Sequence, residues 1–521
     1  MIFSNRQLQG RLFLLNFIGS VTVLIAVAFS GRFCFGQAQS EVTIGSKVFT
    51  ESVILGDMLQ ALSEHAGAET VHKAELGGTQ ILWQALLKGD IDAYVEYSGT
   101  LKEEIFSTEK PSNLTEIADL AAKQKVKVSK PLGFNNTYAL GMTEEKAEEL
   151  NIKTITDLKA FPDLRIGFSD EFLERPDGWP GLKQKYELPQ TSIRTMDHSL
   201  AYRGISEGSI DIIDIYSTDA EIISQNLRVI KDDLLYFPLY EAVIVYRQQL
   251  EESHPDVAAQ FRKLPGKIDD ATMAGLNKAS RVDHQPEMDI AINFLHDRVD
   301  PSIVVPEGES EFARRANQVL VNTWQHIVLV LVSLSMAIVV SVPLGVLAYK
   351  QPAWGEWILG AVGIIQTIPS LALLVFMIPL LGLGEKPAIL ALFLYSLLPI
   401  VRGTHTGLKS LPSSIHESAL ALGLPGAARL RLIELPLAAQ SILSGIKTSA
   451  VINVGTATIG ALIGAGGYGQ PILTGIRLDD ISLILQGAIP AALLALLVQA
   501  GFGWIENALV PAGLRVSSKS A

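Results

Sequence analysis

Four tyrosines occupy positions from which ring faces could be presented to a solute. Gly89-x-Ile91-Asp92 leads to Tyr97-Ser98, and Gly208-x-Ile210-Asp211 leads at the same offset to Tyr216-Ser217. Each unit reads as a helix, a capping glycine, a strand and a tyrosine at the strand's carboxyl end, so the two form an internal repeat of one building block. Tyr138 in FNNTYALGM and Tyr240 in YFPLYEAVIVY stand at further strand-like edges, and Tyr202 and Tyr236 are additional rings able to replace one of them. Ligands of open α/β sheets bind off the carboxyl ends of strands. Two such lobes face to face would set phenol rings across a cleft. The chemistry this suits is capture of a quaternary ammonium: the cation has no N–H to donate and is held by aromatic faces within about 6 Å, each contributing ~0.5–2 kcal/mol when desolvated.

Other chemistries fit less well. His416-Glu417 opens like the zinc motif H-E-x-x-H, but Leu420 stands where the second ligand belongs. Gly204-Ile205-Ser206-Glu207-Gly208 matches G-x-S-x-G, yet SLAYRGISEG reads as a helix that precedes the strand IDIIDIY, the reverse of a nucleophile elbow. Gly266-Lys267 is the one Gly-Lys pair, and it lacks both the upstream glycine and the following Ser or Thr of a phosphate-binding loop. The single cysteine, Cys34, excludes an intrachain disulfide and a cysteine-based metal cluster. No metal, cofactor or catalytic residue is expected. A net charge of -12 argues against a nucleic-acid partner.

The elements that would carry these residues fall into two halves. At 521 residues, 48% hydrophobic and 18% charged, the chain is too long for one core and too apolar for a purely soluble protein. From Glu41 to about Asp300, short strands such as VTIGS and RIGFS alternate with amphipathic helices, which is α/β patterning. Residues 301–320 read as a linker. A membrane domain is expected over 321–512, with apolar segments near 321–349, 355–381, 387–407, 440–465 and 480–510, about five helices of bilayer length. Residues 1–38 carry Arg6 and Arg11 ahead of an apolar run, as a secretory signal peptide or an uncut anchor would. With the soluble half outside, Lys350, Arg402, Lys409, Arg515 and Lys519 all fall on the cytoplasmic side.

That orientation puts 408–437 in the cytoplasm. Within it, Glu417-x-Ala419-x3-Gly423-x9-Ile433-x-Leu435-Pro436 resembles the coupling-loop signature of ABC importer permeases, with Ser418 where a second alanine is usual. A short helix ending at a left-handed Gly423, and a second helix after Pro425, are expected there. The resemblance implies a separate ABC ATPase subunit. Five helices are too few for a whole pathway, so a homodimer of permease domains is expected.

The segments GSKVFTESVILGDML, ELGGTQILWQALLKGDIDAYVEYSGT, FNNTYAL, DEFLERPDGWPGL and DIYSTDAEI resemble the binding proteins of glycine betaine/carnitine/choline importers and their ergothioneine relatives. Ser98 departs from the family's usual threonine. The resemblance implies a bilobal periplasmic-binding-protein fold, with lobe one over 41–138 and 241–300 and lobe two over 139–240, joined to a type I importer permease. It implies a cage of Tyr97, Tyr138, Tyr216 and Tyr240, with polar contacts from Lys47, Thr50, Glu51, Gln80, Asn136 and Asp219. The expected protein is a multi-pass membrane importer subunit with its receptor outside the cell. Its solute is a quaternary ammonium osmolyte, or alternatively ergothioneine. A ligand-gated channel or sensor is the rival from another class, and the coupling loop argues against it.

Overall fold

The computed structural model describes residues 41–174, 178–196, 198–305 and 311–509. The leader read over 1–38, the middle of the linker, and Arg515 and Lys519 lie outside them. The chain divides into two compact units, one built on Gln39–Gly308 and the other on Glu309–Ile476 with Asp480–Ala521.

The first unit holds two five-stranded sheets of one plan. Strands β1 (Val42–Gly45), β2 (Thr70–Lys73), β3 (Ala93–Tyr97), β4 (Val126–Val128) and β10 (Ala242–Arg247) form the first, in the order β2-β1-β3-β10-β4. Strands β5 (Tyr138–Thr143), β6 (Ile166–Phe168), β7 (Ile193–Thr195), β8 (Ile212–Tyr216) and β9 (Leu227–Ile230) form the second, in the order β7-β6-β8-β5-β9. In each sheet four strands run in one direction, and the fourth in order runs against them, antiparallel to both of its neighbours. That fourth strand is the one by which the chain enters the lobe from the other: β5 for the second sheet, β10 for the first. Strands β3 and β8 are buried almost throughout, as covered sheets require, and each carries one buried carboxylate, Glu96 and Asp214, among apolar residues.

The sequence repeat is a structural repeat. Gly89 and Gly208 take left-handed φ of 82° and 69° at helix ends, where a side chain would be strained. Asp92 exchanges bonds with Thr43: its N–H reaches the Thr43 carbonyl at 2.6 Å and its carboxylate accepts the Thr43 N–H at 2.9 Å. Asp211 does the same with Arg165, at 2.8 and 2.9 Å. The serines repeat as well. Ser98 Oγ donates to the Leu239 carbonyl (3.1 Å) and accepts from Glu241 N (3.0 Å), while Ser217 Oγ donates to the Asn135 carbonyl (2.7 Å) and accepts from Thr137 N (3.0 Å). Each serine therefore clips the opposite crossover segment onto its own sheet.

Helices α1 (Thr50–His65), α2 (Thr79–Lys88), α3 (Leu114–Lys123), α4 (Trp179–Tyr186), α5 (His198–Ser206), α6 (Ala220–Ser224), α7 (Asp270–Arg281) and α8 (Glu287–Arg298) cover the sheets. One core gathers Ile44, Leu55, Val95, Ile244, Phe261 and Leu295 around the first sheet. Another gathers Leu140, Ile166, Phe168, Leu182 and Ile230 around the second.

The second unit is helical: α9 (Glu311–Lys350), α10 (Pro352–Thr367), α11 (Ser370–Leu381), α12 (Glu385–Lys409), α13 (Ser413–Ala421), α14 (Leu435–Thr456), α15 (Gly469–Leu478) and α16 (Ile481–Leu509). Among the described residues four stretches are long and apolar enough to cross a bilayer: Ala313–Lys350, Glu385–Lys409, Gly426–Ile463 and Ile481–Ala508. The segment expected as one span over 355–381 is instead two helices, α10 and α11, bent by 97°. Pro369 is the cause, since it forces Ile368 into an extended conformation (φ -71°, ψ 127°) and ends α10. Small residues set how closely α12 and α14 approach: a Cβ at Gly445 would lie 2.5 Å from the Pro399 carbonyl oxygen, and one at Gly403 would lie 2.7 Å from that of Ser441. Replacing Gly445 with leucine should destabilise the helical unit by about 2–3 kcal/mol through overpacking. The expected readout is a lower melting temperature of detergent-purified protein, and an unchanged melt would contradict the close contact.

Candidate functional site

The crossover segments bring the tyrosines to adjacent strand ends. Tyr138 and Tyr216 are register partners on β5 and β8. Their ring centroids lie 4.9 Å apart, and the Tyr216 hydroxyl donates to that of Tyr138 at 3.2 Å. Phe172 packs on Tyr138 with centroids 5.2 Å apart, and Phe237 lies 6.2 Å from Phe172, extending the aromatic wall. In the other lobe Tyr97 ends β3, and its ring is 6.2 Å from that of Phe49. Tyr240, just before β10, lays its ring on the backbone at Gly99, where a Cβ would come within 2.5 Å of it. Glycine at 99 is therefore what lets that ring come so close to the turn that follows β3.

The polar residues divide by role. Thr50 and Glu51 open α1 and are buried. Glu51 Oε1 accepts from the Tyr97 hydroxyl (2.5 Å) and Asn136 Nδ2 (2.8 Å), and its Oε2 accepts from Thr218 Oγ1 (2.6 Å) and Asn277 Nδ2 (3.1 Å). Burial raises the Glu51 carboxyl above its ordinary value, against the lowering effect of these four donors. Burial first, and then the charge of Glu51, push the Tyr97 hydroxyl well above an ordinary phenol, so it stays protonated and donates. Lys47 is buried in an ion pair with Glu96, donates to Thr79 Oγ1 at 3.0 Å, and places its ammonium 5.5 Å from the Tyr97 ring centroid. Asp219 accepts from the Tyr202 hydroxyl (2.5 Å) and from Tyr216 N (2.8 Å), bracing the strand end that carries Tyr216. Tyr236 donates to the Gly178 carbonyl at 3.2 Å.

Of the residues singled out in the sequence, Lys47, Glu51, Tyr97 and Asn136 form one connected group, and Tyr138, Tyr216 and Asp219 form another. Asn136 also receives the chain's return, its N–H donating to the Tyr240 carbonyl at 3.1 Å. Gln80 stays on the exposed face of α2, where Nε2 reaches the Glu104 carbonyl at 3.4 Å. Sequence reasoning did not single out Thr218, Asn277, Glu96, Phe172 or Phe237. Thr218 and Phe172 lie in the quoted segments DIYSTDAEI and DEFLERPDGWPGL. Asn277 sits in the amphipathic α7 and has no motif to mark it.

The loop after α12, expected in the cytoplasm, has the expected cap. After α13, Gly423 takes φ of 72°, with Gly423 N–H bonded to the Leu420 carbonyl (2.9 Å) and Leu424 N–H to the Ala419 carbonyl (3.2 Å). This paired pattern is a Schellman ending. Ala419 is buried and Glu417 exposed. Leu420 and Leu422 are 54% and 77% exposed, an apolar surface beside an acid. Gly426–Arg429 and a π-turn over Leu430–Glu434, which contains Ile433, lead into α14 at Leu435-Pro436. Buried Glu434 accepts from Arg429 Nε at 2.9 Å, and His416 Nδ1 lies 3.5 Å from it.

A two-lobed α/β unit with ring clusters at its strand ends, in one chain with a polytopic helical unit that presents a short capped helix, defines a solute receptor fused to a membrane permease. Residues 40–297 match the model for the substrate-binding domain of ABC-type glycine betaine transport systems, and residues 324–512 that for the binding-protein-dependent transport system inner membrane component. Over 198 residues the chain is 42% identical to the choline transport system permease protein OpuBB of Bacillus subtilis, a match covering 38% of this chain and 91% of that one. Over 198 residues it is 43% identical to the osmoprotectant import permease protein OsmW of Salmonella typhimurium, covering 37% of this chain and 92% of that one. A crystal structure described as a glycine betaine/carnitine/choline ABC transporter aligns at 29% identity over 49% of this chain and 98% of that one, with a TM-score of 0.46. The chain belongs to this importer family, as a binding domain and an inner-membrane permease component in one multi-pass membrane protein.

The Glu51 environment has a pH signature. A carboxyl whose folded value is raised contributes stability that is present in full below its unfolded value and is lost as pH rises through the folded one. The melting temperature of the wild type should therefore fall relative to Glu51→Gln as pH is raised from about 4.5 toward neutrality. Parallel pH profiles for the two proteins would contradict the assigned direction.

Proposed function

We propose that the chain is the receptor and permease of an ABC importer for quaternary ammonium osmolytes of the glycine betaine, choline and carnitine class. The observation that carries the reading is the pair Tyr138 and Tyr216, in register at two adjacent strand ends with ring centroids 4.9 Å apart and Phe172 behind them. With Tyr97 and Tyr240 at the corresponding ends in the other lobe, the rings form a cage that takes an onium group lacking N–H donors. Three or four such faces at ~0.5–2 kcal/mol each support micromolar binding after the cost of association. Lobe one (41–138 and 241–300) and lobe two (139–240) close on the solute outside the cell. The linker 301–320 delivers it to the permease at 321–512, which works as a homodimer.

Transport is driven by a separate ABC ATPase subunit, in keeping with the missing phosphate-binding loop at Gly266-Lys267. The coupling surface is Glu417, Ala419, Gly423, Ile433, Leu435 and Pro436, with Leu420 and Leu422 as its apolar contact. The exposed helix and its rigid cap support this role.

Two measurements test the proposal on the full chain in nanodiscs with its ATPase. Titration with choline, glycine betaine, carnitine and ergothioneine should find micromolar binding of a methylated onium solute, weakened at least tenfold by Tyr216→Leu or Tyr138→Leu. Preference for ergothioneine would move the solute to a thione, and undiminished capture by both variants would sink the cage. Separately, Glu417→Ala should leave solute affinity intact while cutting uptake into proteoliposomes by at least tenfold. Uptake at the wild-type rate would remove the loop from coupling.

A further inference from the structure

Glu51 sits beside Tyr97, yet its geometry is not that of a group waiting for a ligand. A carboxylate has two oxygens and about four acceptor directions. All four are used, by the Tyr97 hydroxyl, Asn136, Thr218 and Asn277, and Glu51 is 3% exposed. The donors come from four places: the end of β3, the outgoing crossover, the loop after β8, and α7. Thr218 is the one that belongs to the second sheet's lobe, 167 residues from Glu51 in sequence.

Thr218 is gripped twice. Its hydroxyl donates to Glu51, and its backbone carbonyl accepts from Asn277 Nδ2 at 2.8 Å. Both Asn277 and Thr218 are buried. The Oδ1 atoms of Asn277 and Asn136 are buried without a partner, so both amides are turned to serve the carboxylate at the expense of their own acceptors. Beside this cluster, Arg281 of α7 pairs with Glu221 of α6 at 2.8 Å, joining the same two lobes at a more exposed point. Thr218 is two residues beyond Tyr216, so drawing Thr218 to lobe one also sets where that ring stands.

We propose that Glu51, Thr218 and Asn277 form the seam along which the two lobes close, and that Glu51 is a positioning residue for solute capture rather than a solute contact. The inference rests on the receptor reading above. Charge-assisted hydrogen bonds in a dry site are about twice as strong as neutral ones, so one threonine hydroxyl in this place carries a measurable share of closure. The seam also links closure to recognition through one carboxylate: Oε2 holds the opposite lobe while Oε1 orients the phenol of Tyr97.

The test uses the full chain in nanodiscs, with Cys34 replaced by serine and spin labels at exposed Lys123 and Glu149, one on each lobe. Thr218→Val keeps the side chain's shape and removes its hydroxyl. It should lengthen and broaden the interlobe distance distribution and weaken solute affinity roughly tenfold, mainly through faster release. Thr218→Ser should restore both quantities, which a purely structural role would not require. A Thr218→Val protein with wild-type distances and wild-type affinity overturns the seam. If the wild type binds none of the onium solutes while its distances still respond to Thr218→Val, the solute reading falls and the seam stands. Onium binding together with unmoved distances decides the opposite way.

Discussion

Each sheet of the receptor is completed by a strand supplied from beyond the other, and the rest of the site follows from that constraint. Strands β5 and β10 must satisfy their backbone groups in a sheet whose other strands come from a different stretch of chain. The segments feeding them, 134–138 and 238–242, therefore run antiparallel and close together, joined by the bridge between Asn135 and Glu241. A pair of antiparallel connections is a hinge that bends without losing its register. It also places Tyr138 and Tyr240 at the entry of each lobe, beside Tyr216 and Tyr97. Hinge and ring wall share residues because the topology gives both the same address.

The serine clips explain why the repeat extends past the strand. Ser98 and Ser217 each bond the backbone of a crossover segment on both its donor and acceptor sides. The residue that follows differs, and the difference is functional in the proposed reading. Gly99 has no side chain, so the ring of Tyr240 lies on it, whereas Thr218 uses its hydroxyl to reach Glu51. One scaffold position thus serves a ring in one lobe and closure in the other.

Much of this was legible in the sequence, and the reason is local. Left-handed glycines at 89, 208 and 423 and the strand-end tyrosines are fixed within a few residues of themselves, so spacing identifies them, whereas the loop over 417–436 is read from its resemblance to permease signatures. The break at Ile368 was carried by Pro369, but a hydropathy reading weighs apolar content over 355–381 and is blind to the direction of the helix axis. The neighbours of Glu51 were least legible. Asn277 is 226 residues away from it, and nothing in DATMAGLNKASR distinguishes an amide that turns inward from one that faces water. Gln80 shows the converse: it belongs to a segment that matches the family, yet its side chain stays at the surface of α2.

Among the described residues, the charges of Lys47, Glu51 and Asp219 are each partnered within the protein. Lys47 is neutralised by Glu96, Glu51 is held by neutral donors, and Asp219 is occupied by Tyr202 and the backbone of Tyr216. In the proposed reading, a solute meeting these residues is faced by rings and by charges that already have partners. On that reading selection falls to the size and methylation of the onium head, because ring faces reward a desolvated cation and give a primary or secondary amine poorer partners for its N–H groups than water does. A receptor that must also release its solute to a permease gains from this arrangement. Ring contacts are individually weak and are lost together once the lobes part, whereas a buried ion pair to the solute would have to be broken at a cost of several kcal/mol.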